Sequence, residues 1–158
     1  QISGKGVIVE KVKMALIGCG GMGTRHLYGL RELVDSPFAN IELVALCDIR
    51  RENVEMAAET VEELLGFRPA TFTDLEEMVN AIPDLGMVDV VTDPSVHHTV
   101  VCQALDLGLH VLVEKPMADS APAAVRMAEA AESNARILAV GQSRRHTTAV
   151  RYVVFFFY

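Results

Sequence analysis

The sequence predicts an α/β fold: a doubly wound parallel sheet of about six strands with helices on both faces. Three observations predict it. Short apolar runs alternate with helical patterns along most of the chain. The runs hold apolar residues at consecutive positions, as strands covered on both faces do. A glycine-rich turn joins the first run to the first helical pattern, where a strand must turn sharply into a helix.

The elements follow in order. Val12–Ile17 reads as a buried strand. Met22–Val34 spaces Leu27, Leu30, Leu33 and Val34 as one helical face. Ile41–Cys47 is the second strand. Glu52–Leu65 is an acidic amphipathic helix with Val54, Ala57, Ala58, Val61 and Leu65 on one side and Gly66 as its stop. Thr71–Phe72 is a short third strand. Asp74 caps a helix over Leu75–Ala81, with Glu77 completing the capping pattern. Val88–Val91 is the fourth strand. Ser95 opens a helix to about Leu107, ended by Gly108. His110–Val113 is the fifth strand. Ala121–Asn134 is an Ala-rich helix with Pro122 in its first turn, where a missing N–H costs little. Ile137–Val140 is the sixth strand. Turns are expected at Asp35-Ser36-Pro37 and Pro83-Asp84-Leu85-Gly86.

Size and composition bound the rest. The chain has 158 residues, 51% hydrophobic and 22% charged, enough for one domain with a proper core. Its net charge of −7 argues against a partner bound by neutralising phosphates, so no nucleic acid is expected. Charge is uneven: no acid follows Glu132, whereas Arg136, Arg144, Arg145 and Arg151 do. No apolar run reaches the roughly 18–20 residues that span a bilayer, and no secretory signal is recognised. Cys19, Cys47 and Cys102 follow no zinc spacing and read as reduced thiols, which points to the cytoplasm. Gly4-Lys5-Gly6 marks residues 1–11 as a loose leader. Residues 12–152 form the predicted domain. The tail at 153–158 is wholly apolar and aromatic, an aggregation hazard unless covered, and a seam for a homo-oligomer is one use for it.

The chemistry lies in Gly18-Cys19-Gly20-Gly21-Met22-Gly23, a G-x-G-x-x-G string between the first strand and first helix. Gly18 permits the tight turn, Gly20 lets a pyrophosphate approach the backbone, and Gly23 lets helix and strand pack closely. The amides and positive end of the helix suit phosphates. The bland alternative is a glycine-rich turn without a ligand. Asp48 ends the second strand, roughly 25 residues past Gly23, near the place of a ribose-binding acid. A carboxylate there accepts from ribose hydroxyls and repels a 2′-phosphate, which favours NAD over NADP. Arg50 and Arg51 pull the other way, since a guanidinium stacks on adenine or pairs with a 2′-phosphate. Both arginines also read as solvated charges at a helix start.

The strings GCGGMG, CDIR, TDPSVHH and GLHVLVEKPMA, in this order and spacing, resemble the glucose–fructose oxidoreductase / inositol dehydrogenase / MocA (Gfo/Idh/MocA) family. The run Gly108–Ala118 is the most specific piece. The match covers residues 12–152 and implies a Rossmann domain that binds NAD(P), followed in the family by a substrate domain that this chain lacks. It implies an oxidoreductase acting on a sugar, polyol or related carbonyl compound, inactive as this chain alone. By the same resemblance, Pro94 and Ser95 lie in the loop passing the cofactor riboses. His98 matches a recurrent helix-start histidine, with capping or packing as its plainer role. Glu114 matches the acid beside the nicotinamide ribose, and Lys115 the active-site lysine. Arg145 matches an arginine near the cofactor. Lys115 also has a physical argument: it follows a buried strand, where parallel sheets bind ligands, and a cation there stabilises charge developing on a substrate oxygen. Pro116 restricts Lys115 to an extended conformation. His97 and His110 read as structural, and no metal site is expected. The competing class is a non-catalytic NAD-binding module, a redox sensor or partner-binding protein.

Overall fold

The computed structural model describes residues 11–37 and 39–143. They fall into two compact units that divide between Met87 and Val88.

The first unit runs β1 (Val12–Ile17), α1 (Gly21–Val34), β2 (Ile41–Cys47), α2 (Arg51–Leu65), β3 (Ala70–Phe72) and α3 (Leu75–Ala81). β1 pairs in parallel with β2, from Val12 opposite Ile41 to Ile17 opposite Cys47, with one register shift between Met14 and Ala15. β2 pairs in parallel with β3, Ala45 opposite Ala70. Leu16, Leu27, Leu46, Val54, Val61 and Met78 are its largest fully buried side chains. Burying each such aliphatic side chain contributes about 1.5–3 kcal/mol. The predicted face of α2 is buried at Val54, Ala57, Ala58 and Val61. Gly66 ends that helix at φ 76°, a left-handed angle that suits a residue without a side chain. Asp74 caps α3, its carboxylate accepting from the Glu77 amide at 2.9 Å. The predicted face of α1 is only partly used. Leu27 is buried, but Leu30 and Leu33 are half-buried and Val34 is exposed. The helix rises off the core toward its end, where these residues line a shallow groove with Ile41, Leu65 and Phe67.

β4 (Met87–Val90) leads into the second unit, which continues through a 3₁₀ turn (Pro94–Val96), α4 (His97–Asp106), β5 (His110–Val113), α5 (Ala121–Ser133) and β6 (Leu138–Val140). Glu114 donates its amide to the Val90 carbonyl at 2.9 Å. β5 pairs in parallel with β6, Val111 opposite Leu138. Val88, Val90, Val101, Leu105 and Met127 are fully buried. Gly108 turns α4 into β5 at φ 84°.

All six strands belong to one parallel sheet, in the order β3-β2-β1-β4-β5-β6. Six element starts differ from the sequence reading: α1, α2, β3 and β4 begin one residue earlier, and two others differ for reasons visible in their hydrogen bonds. The helix expected from Ser95 opens as a tight 3₁₀ turn, because the Asp93 carboxylate accepts from both the Ser95 amide (3.0 Å) and the Ser95 hydroxyl (2.6 Å). β6 starts at Leu138 rather than Ile137, because the Ile137 amide donates to the His110 side chain at Nδ1, 2.9 Å, instead of to a strand carbonyl. Among the described residues, no helix is long and apolar enough to cross a membrane. The leader, Arg145 and the apolar tail at 153–158 lie outside the described residues.

Candidate functional site

In the first unit the candidate residues gather at the carboxyl ends of β1 and β2. Gly18 leaves β1 at φ 97°, which an L side chain rarely adopts. A Cβ on Gly23 would lie 2.2 Å from the Gly18 carbonyl oxygen, so that position is glycine by contact. Around Gly20 and Gly21 a Cβ would meet nothing within 4 Å. Their lack of side chains does nothing for packing and leaves the loop's outer face bare. α1 then begins without a side-chain cap and with no acid in its first turn. Its first amides and the positive end of its dipole therefore stand open. Met22 is exposed beside them.

Asp48 is tied to this loop. Its Oδ2 accepts from the Cys19 amide at 2.7 Å, and its Oδ1 from the Arg50 amide at 2.9 Å. The Asn53 side-chain amide reaches both oxygens at 3.3 Å. Cys19 thus serves the loop with its backbone, while its thiol lies buried, 3.7 Å from the Cys47 carbonyl. Burial pushes both the Cys19 and Cys47 thiols up to about 12, with the neighbouring carboxylates adding to it. These thiols are inert packing groups rather than nucleophiles. Arg51 pairs with Glu55 at 3.7 Å. No ion pair engages the Arg50 guanidinium among the described residues, which leaves it available to a ligand.

Does this set fit a dinucleotide? It does in three respects. The bare glycine face admits a pyrophosphate, the uncapped helix end attracts its charge, and Asp48 adds a carboxylate held against the loop by its amide bonds.

In the second unit the candidates follow β4 and β5. Asp93, Pro94 and Ser95 form the 3₁₀ entry. The Ser95 hydroxyl and then its amide hold the Asp93 carboxyl below its ordinary range. The Ser95 hydroxyl donates to Asp93 and keeps its acceptor side. Lys115 is exposed after β5, and its amide donates to Glu114 Oε2 at 2.7 Å. The Lys115–Pro116 peptide is cis. His98 is half-buried, with its Nδ1 lacking a partner among the described residues.

Sequence reasoning missed the part played by His97. It is wholly buried, with Nδ1 2.9 Å from the Pro116 carbonyl and Nε2 3.0 Å from the Thr92 carbonyl. One side chain thereby joins the loop after β4 to the loop after β5. Two adjacent histidines at a helix start carry no signal for which one turns inward. Asn53 was also missed, since an amide in the first turn of a helix is common. Among the described residues, no cluster of His, Cys, Asp or Glu could hold a metal ion.

The family model for "Oxidoreductase family, NAD-binding Rossmann fold" (GFO_IDH_MocA) matches residues 12–142. The chain is 30% identical over 154 residues to D-apiose dehydrogenase of Paraburkholderia graminis, covering 96% of this chain and 38% of that protein. It is 32% identical over 119 residues to glycosyl hydrolase family 109 protein 1 of Akkermansia muciniphila, covering 71% of this chain and 23% of that protein. Among solved structures it resembles the WlbA dehydrogenase from Chromobactrium violaceum, in complex with NADH and UDP-GlcNAcA. There the TM-score is 0.76 at 26% identity, over 97% of this chain and 41% of the other. The chain therefore spans well under half the length of these proteins. The expected fold and family are both found: this chain belongs to the Gfo/Idh/MocA oxidoreductase family and carries its NAD-binding Rossmann domain.

Proposed function

We propose that residues 12–152 form the cofactor half of an NAD-dependent oxidoreductase acting on a hydroxyl-bearing carbon of a sugar or polyol. The observation that carries this is the glycine loop. It combines a left-handed Gly18, a Gly23 packed against Gly18, an open face at Gly20 and an uncapped helix end. When bound, NAD would supply the hydride acceptor. The chain's own residues do the rest. Gly20, Gly21 and Met22 would hold the pyrophosphate by backbone amides. Asp48 would accept from the adenosine ribose hydroxyls and disfavour a 2′-phosphate. Arg50 would cover the adenine, with NADP as the alternative should its charge dominate. In the second unit, Pro94, Ser95 and His98 would border the riboses, and Glu114 would accept from the nicotinamide ribose. Lys115 would hold the substrate oxygen and stabilise its developing negative charge. Arg145 completes the proposed set.

By itself the chain would bind cofactor without turnover. The relatives named above include both dehydrogenases and a protein named as a glycosyl hydrolase. We place the protein in the cytoplasm, with a small-molecule substrate and neither nucleic acid nor membrane as partner.

The test is a titration of the 158-residue chain with NADH and with NADPH, followed by nicotinamide fluorescence. The chain has no Trp, so the signal belongs to the ligand. Saturation with NADH the tighter is expected. Tighter NADPH would move the specificity from Asp48 to Arg50 and Arg51. No binding by a folded, monodisperse sample would overturn the cofactor reading.

A further inference from the structure

His97 stands out in the second unit as a wholly buried polar side chain whose two ring nitrogens both face backbone carbonyls. A carbonyl oxygen only accepts. Each contact therefore needs a proton on the ring nitrogen. The neutral ring carries one N–H, so its tautomer decides which of the two carbonyls receives the bond. The two carbonyls belong to Thr92, just before Asp93, and to Pro116, just after Lys115.

We propose that His97 is a positioning residue: its buried ring, set between the Thr92 and Pro116 carbonyls, donates from Nδ1 to Pro116 and so fixes Lys115 where it follows β5. This rests on the reading of Glu114 and Lys115 as cofactor- and substrate-facing groups. Without His97, the Pro116 carbonyl loses its donor and the Lys115-Pro116 segment loses its inward anchor. The Glu114 carboxylate that accepts from the Lys115 amide moves with it.

Two conservative variants separate the two bonds. The Asn amide nitrogen reaches the place of Nδ1, so His97→Asn retains the Pro116 bond. The Gln amide nitrogen reaches the place of Nε2, so His97→Gln retains the Thr92 bond. Three readouts apply to the 158-residue chain. Nitrogen NMR of the His97 ring should show a proton on Nδ1. The Lys115 amide resonance should stay in place in His97→Asn and move in His97→Gln and His97→Phe. NADH affinity should be kept within about twofold by Asn and weakened about tenfold by Gln and Phe, the scale of one hydrogen bond. A ring whose proton sits on Nε2 alone, or a Gln variant that matches Asn at the Lys115 amide, would overturn the proposal. A merely structural role predicts that effects follow melting temperature alike in both. If the unaltered chain fails to bind NADH, the cofactor reading falls, yet the ring spectrum and the Lys115 amide still judge the clamp. The ring spectrum needs no variant to fold.

Discussion

The two units hold their candidate residues by different means. In the first, the backbone does it: a left-handed Gly18, a Gly23 that tolerates no Cβ, and amides donated to Asp48. In the second, a side chain does it: His97 reaches two carbonyls on two loops. A site built from backbone demands particular residue types at fixed spacing, and those are visible as letters. A site tied by a buried side chain depends on which way one residue points, which packing decides.

The sharpest way to break this comparison is Gly23→Val. Its Cβ would meet the Gly18 carbonyl, which is backbone and cannot swing aside. A loss of about 3 kcal/mol or more in urea unfolding is expected, with NADH binding abolished. An unchanged midpoint would show that the loop is softer than its geometry.

Asp48→Asn comes next. It keeps an acceptor for the Cys19 amide but removes the charge. NADH should weaken about tenfold and NADPH should gain, so the ratio of the two affinities narrows. A ratio that stays fixed would remove Asp48 from cofactor choice.

Asp74→Ala probes a cap away from the candidate residues. Losing the bond to the Glu77 amide should cost about 1 kcal/mol, read by thermal or urea unfolding, with NADH affinity unchanged. An equal loss of affinity would mean that α3 is coupled to the loop.

The mildest probe is thiol labelling at pH 8. Cys19 and Cys47, pushed up to about 12 by burial, carry almost no thiolate there, whereas Cys102 is only partly buried. Cys102 should label first and the other two only after unfolding. The sign is set by the raised values: reactivity at Cys19 and Cys47 grows only as pH climbs toward 12. Early labelling of Cys19 would show that the glycine loop opens in the native state.

How much was legible varies by residue. The strands Val12–Ile17, Ile41–Cys47 and His110–Val113 lie where their apolar runs put them, because burial on both faces demands consecutive apolar residues. The Asp74 cap and the Gly66 stop were legible because each is a local event within one turn of helix. The helix start at Ser95 was not, because Asp93 captures both the amide and the hydroxyl of that residue. The start of β6 was missed because the acceptor for the Ile137 amide comes from His110, far away in sequence.

The sequence by itself determined the alternation of strands and helices, the glycine loop and the resemblance that names the family. Each of these depends on residue type and spacing along the chain, and neither changes on folding. Tertiary structure alone decided that Asp48 is bound to the Cys19 amide, that Cys19 and Cys47 are sealed away, and that His97 rather than His98 turns inward to two carbonyls. Such partners meet only after non-local segments have packed. Hydrogen-bond reach is about 3 Å, and no sequence spacing encodes a distance that short between residues so far apart.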